Sequence, residues 1–109
     1  MSDLLTRLKA ATAEQQHELI LQALWHARER EWITEERYYQ AVSWCDDGAF
    51  ESAALTLVPE GMMWLLCSDG TADIGREPAS GTMLVGEFEG EAATPALAFV
   101  IAALRARDV

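Results

Sequence analysis

Met62-Met63-Trp64-Leu65-Leu66-Cys67 decides how this chain is read. The run is apolar without interruption, and Pro59-Glu60-Gly61 and Ser68-Asp69-Gly70 bound it on either side. A short, unalternating apolar run between turn residues predicts a strand buried on both faces. Such a strand needs cover above and below, which predicts a three-layer α/β/α sandwich of the α+β class. The expected sheet is small and mostly antiparallel, about three strands with helices on both faces.

Toward the C-terminus, Ser68-Asp69-Gly70-Thr71 predicts a hairpin turn, and a second strand follows over about Ala72 to Arg76. Pro78-Ala79-Ser80-Gly81 is a loop, and Thr82-Met83-Leu84-Val85-Gly86-Glu87-Phe88 reads as a third strand. Thr94-Pro95 opens the last helix, with threonine as cap and proline at the first helical position. Leu97, Val100, Ile101 and Leu104 share one face of that helix. Alanines cover most of the rest, and Phe99 points nearly opposite.

Toward the N-terminus, Ala49 to Val58 fits helix or strand: three alanines favour helix, Leu57-Val58 suits either, and Pro59 ends it. Asp46-Asp47-Gly48 is a turn. Thr34 can cap a helix reaching Trp44, with Tyr38, Ala41, Val42 and Cys45 facing inward, and Trp44 and Trp64 are read as core. Thr12 and Gln15 form a capping box before a helix over about 13–30. At 100° per residue its apolar arc, from Leu19 round to Trp25, sweeps roughly 240°, where one core needs a ~100° stripe. Ser2 caps a first helix carrying Leu4, Leu5 and Leu8 on one face.

At 109 residues the chain is read as a single domain over 1–109, large enough to bury a core without disulfides or metal. Its helical N-terminal part is about 1–45 and its mixed part about 49–107. No apolar stretch reaches the ~20 residues a membrane span needs. The acidic opening Met1-Ser2-Asp3 with no apolar run after it, and two cysteines in apolar surroundings, predict a cytoplasmic protein with reduced thiols. The net charge is −10 and unevenly placed. Residues 46–91 hold ten acidic side chains against Arg76 alone. Such a field repels nucleic acid and attracts basic protein surfaces, so direct nucleic-acid binding is not expected.

Three stretches resemble the phage ABA sandwich domain family, small α/β/α proteins of phages and prophages. They are Leu4-Leu5-x-Arg7-Leu8-x-Ala10-Ala11-Thr12, Ala53 through Trp64, and Ala92 through Ala98 running into Ala102-Ala103-Leu104-Arg105-Ala106. The resemblance implies an α-β-β-β-α arrangement over about 49–107, helix at 50–58, and a phage setting. It brings no activity with it.

Catalytic signatures are missing. No G-x-S-x-G, phosphate-cradling glycine loop or H-E-x-x-H occurs. His17 and His26 lie nine apart on one predicted helix and face opposite ways, so they do not share a metal. Cys45 and Cys67 lack a C-x-x-C partner, and Asp69-Gly70-Thr71-Ala72-Asp73 lacks the later ligands of a calcium loop. No catalytic, cofactor or metal residue is therefore expected.

Two partner surfaces are expected instead. Glu87, Glu89 and Glu91 alternate, so their carboxylates share one side of a strand while Phe88 takes the other. Together with Asp46 and Asp47 they are the candidate acidic stripe for a basic partner. Leu21, Trp25, Trp32 and Phe99 are the candidate apolar interface, suited to a homodimer through the wide arc of the 13–30 helix or the last helix. The functional expectation is a non-enzymatic phage or prophage accessory protein that binds protein. Its specific form is an acidic, anti-CRISPR-like inhibitor whose carboxylates replace phosphates in a host nucleic-acid-binding defence protein. The alternatives are an assembly accessory of the phage particle, and a metal-dependent enzyme using carboxylates of the acidic segment.

Overall fold

Capping residues set the helix boundaries in the structure, a computed structural model that describes residues 2–75 and 88–107. Helix α1 is Ser2–Ala10. The Gln15 side chain accepts a hydrogen bond from the Thr12 N–H at 2.9 Å, so the predicted capping box is present. It starts a 3-10 turn, Ala13–Gln15, which runs directly into α2, Gln16–Glu29. Thr34 accepts from the Arg37 N–H at 3.2 Å and starts α3, Glu35–Asp46. The ambiguous stretch is helical: α4 is Phe50–Leu55.

Helix α2 ends in a motif that its sequence conceals. Glu31 sits in the left-handed region at φ 60°. The Trp32 N–H donates to the Ala27 carbonyl at 2.9 Å and the Glu31 N–H to the Arg28 carbonyl at 3.0 Å. These are the paired bonds of a Schellman ending, a site where glycine is usual. Trp32 folds back so that its ring meets His26 at 5.4 Å.

The sheet is antiparallel in the order β1, Met63–Leu66; β2, Thr71–Gly75; β3, Phe88–Glu91. Its hairpin has a three-residue loop, Ser68 to Gly70. The Gly70 N–H donates to the Cys67 carbonyl and the Cys67 N–H to the Thr71 carbonyl, with Gly70 at φ 90°. That is a tight turn closed by a glycine bulge. Asp69 Oδ1 accepts from the Thr71 N–H and hydroxyl, which holds its pKa below the ordinary value. The expected third strand falls at 82–88, of which 82–87 lie outside the described residues; the observed β3 continues through Glu91.

Helix α5, Pro95–Arg107, is the centre of the packing. Thr94 caps it by accepting from the Leu97 N–H at 3.2 Å. Strands β2 and β3 pack on one side of α5, and α1, α2 and α4 pack on its others. From Ala96 to Leu104 every residue is buried. The α+β class and the three-stranded antiparallel sheet are as expected. The layering differs: among the described residues, the order is sheet, then α5, then the remaining helices.

Two burial expectations are corrected accordingly. The Met62–Cys67 run is not a strand buried on both faces. It forms an edge strand, with Met63 43%, Trp64 46% and Leu65 50% exposed. Its apolar residues cover α5 on one face only, where the Trp64 and Phe99 rings stand 5.3 Å apart. Trp44, expected to be core, is exposed on α3.

Candidate functional site

Strand alternation and register build one continuous outward sheet face. Ala72, Ile74 and Gly90 are buried toward α5, so Thr71, Asp73, Glu89 and Glu91 point the other way. Asp73 pairs with Leu65 of β1 and with Glu89 of β3, so Leu65, Asp73 and Glu89 form a row straight across the sheet. Thr71 pairs with Glu91 in the neighbouring row. The face is therefore apolar at the β1 edge, through Met63 and Leu65, and acidic at the β3 edge.

Asp73 and Glu89 carry like charges on directly opposed residues, an arrangement that costs stability. No ion pair among the described residues neutralises Asp73, Glu89 or Glu91. Arg105 is beside them, but its guanidinium donates to the Glu89 backbone carbonyl at 2.8 Å and not to a carboxylate. Lys9, Thr71, Asp73, Glu89, Glu91 and Arg105 line an open groove of about 760 Å³ along this edge.

The other acidic residues named from sequence are elsewhere. Asp46 ends α3 and takes His17 Nε2 at 2.8 Å. Asp47 closes the same helix with its backbone N–H. Helix α3 packs on α2 and α4, whereas β3 packs on β2 and α5, so the stripe is not one surface. Glu87 lies outside the described residues. Asp73 counted in sequence only among the carboxylates of the metal-enzyme alternative and not in the acidic stripe, although strand parity with Ala72 and Ile74 turned inward carries the signal.

The apolar quartet is split as well. Phe99 is corrected outright: at 1% exposure it is core, because α5 has packing partners all round. Trp32 is half-buried under cations, with the Arg30 guanidinium 5.8 Å and the Arg107 guanidinium 5.9 Å from its ring. Arg107 also donates from Nε to the Leu57 carbonyl at 2.6 Å, closing the end of α4, and burial draws its pKa down. Leu21 is half-buried and Trp25 is 47% exposed on α2. Within the chain α3 covers one side of the wide α2 arc and α4 and α5 another, which leaves Trp25 at its exposed margin. Arg28 lies between the Trp25 and Tyr38 rings, at 5.1 and 5.5 Å, and pairs with Glu35 at 2.7 Å.

Among the described residues no group of three or more His, Cys, Asp or Glu side chains is placed to hold a metal ion. No helix among them is long and apolar enough to cross a membrane. Cys45 and Cys67 are free thiols, and burial pushes the Cys45 thiol up to about 11. No family model, curated protein or solved structure matches the chain.

Proposed function

We propose that this chain is a non-enzymatic accessory protein that binds a basic protein surface through the outward face of its sheet. One observation carries the reading. Asp73, Glu89 and Glu91 share that face with no ion pair among the described residues, at the cost of opposing two carboxylates. A face kept acidic against its own stability suits a partner that supplies the missing cations. Lysines and arginines of a nucleic-acid channel fit that need, because they release counterions to carboxylates as they do to phosphates. With the resemblance to small phage proteins, this makes inhibition of a host nucleic-acid-binding defence protein in the bacterial cytoplasm the specific form of the proposal.

The test is affinity capture from a bacterial host lysate, eluted by a salt series and by duplex DNA. The reading expects a nucleic-acid-binding protein that leaves at raised salt, is displaced by DNA, and is not captured by Glu89→Lys/Glu91→Lys. Capture that survives both high salt and those substitutions overturns it.

A further inference from the structure

Among the described residues the two outer edges of the sheet, β1 and β3, differ. On β3 the outward backbone belongs to Glu89 and Glu91, because Ala92 and Gly90 bond toward β2. That edge is charged, and Arg105 occupies the Glu89 carbonyl. On β1 the Cys67 N–H bonds toward β2, so by alternation Leu65 and Met63 do too, and Trp64 and Leu66 direct their N–H and C=O groups outward. No hydrogen bond among the described residues uses those groups. Met63–Leu66 contains no charge, proline or glycine, so β1 carries none of the protective residues of edge strands within its own sequence.

We propose that β1 pairs with β1 of a second copy of this chain, antiparallel across a two-fold axis, to give a continuous six-stranded sheet. Charge selects a second copy over an acidic or basic partner at this edge. It is the uncharged margin of a chain of net charge −10, and a two-fold placed there sets the two acidic β3 edges farthest apart. The charged and blocked β3 edge stops further addition, so the assembly closes at two.

Backbone parity narrows the register, and keeping the pairing within Met63–Leu66 fixes it. The outward residues must meet each other, so Trp64 bonds to Leu66 of the second copy and Leu66 to its Trp64. Leu65 then lies on the axis, opposite its own equivalent in a non-hydrogen-bonded pair. The register centred on Trp64 would require Met62, whose N–H is already used by the Pro59 carbonyl. The exposed parts of Met63, Trp64 and Leu65 come to roughly 300 Å² per copy, well under the ~800 Å² a partner contributes to a standard interface. Association is accordingly weak and concentration-dependent. The inference does not rest on the proposed function, although it would place two acidic faces on one sheet.

The test combines sedimentation and cross-linking on the full chain, in a Cys67→Ser background that leaves only buried Cys45. The native chain is expected to shift from monomer to dimer with concentration, and Leu65→Lys to stay monomeric at the same concentrations. Mild oxidation should cross-link Leu65→Cys into a dimer but not Met63→Cys, whose equivalents stand several residues apart in this register. A monomer at every attainable concentration overturns the proposal. So does a dimer that persists in Leu65→Lys, which would put the interface elsewhere, or equal cross-linking of the two cysteine variants. Glu89→Lys separates the two readings: it should abolish partner capture and leave the dimer unchanged.

Discussion

Gly90 of β3 lies directly against the backbone of Ala98 in α5. A Cβ built at Gly90 would stand 2.0 Å from the Ala98 carbonyl oxygen and 2.9 Å from the Ala102 nitrogen. The alanines of α5 allow the helix to approach the sheet this closely, and the missing side chain at 90 completes the fit. Gly90→Ala is therefore expected to destabilise the protein by at least about 3 kcal/mol, since the obstruction is backbone and cannot rotate away. Denaturant unfolding measures it, and a loss below 1 kcal/mol would contradict the packing described.

Glu31 is the opposite case, a residue held where glycine would rest more easily. It is exposed and sits at φ 60° in the Schellman ending of α2. Glu31→Gly should raise stability by about 0.5–1 kcal/mol, the left-handed penalty less glycine's extra chain entropy. Thermal unfolding reads this as a raised Tm. A lowered Tm would mean that the Glu31 side chain contributes more than its backbone costs.

The Asp73–Glu89 pair separates stability from binding. Glu89→Lys replaces a repulsion with an attraction across the strands and should stabilise the fold by about 0.5 kcal/mol. The same change should abolish capture of a basic partner. Reduced stability together with unchanged binding would remove the sheet face from the functional reading.

Acid sensitivity should include the hairpin. The pKa of Asp69 is lowered by the hydrogen bonds from Thr71, so its stabilising effect is present above the ordinary carboxylate pKa and is lost as pH falls through the depressed value. Asp69→Asn keeps an acceptor oxygen but cannot titrate. Its stability should therefore decline less steeply than the native protein's on acidification below about pH 4, the ordinary carboxylate range. Parallel unfolding curves against pH for the two proteins would count against this account.

The two thiols should be distinguishable. Cys45 is fully buried, its pKa is raised to about 11, and its Sγ lies 3.6 Å from the His17 carbonyl oxygen. Alkylation near neutral pH should modify Cys67 alone in the native protein and both thiols after unfolding. Mass spectrometry counts the labels directly.

Local chemistry determined much of this protein. Thr12, Thr34 and Thr94 start their helices because a cap needs only a side-chain oxygen and a few residues of backbone, and Ser68 to Thr71 turns for an equally local reason. Alternation set Glu89 and Glu91 side by side without knowledge of what lay behind them. Burial was another matter. Met62–Cys67 has the composition of a core strand and Phe99 the helical position of a surface residue, yet the strand is an edge and the phenylalanine is core. Composition reports how apolar a segment is, not how many neighbours are left to cover it. Those places went to α5, which meets the sheet at Gly90 and the helices elsewhere, so α5 is enclosed and β1 is left at the margin. The acidic site divides in the same way. Asp46 and Glu89 belong to one charged segment in sequence, but α3 carries the first to His17 while register brings the second to Asp73, a pairing set by which strands adjoin.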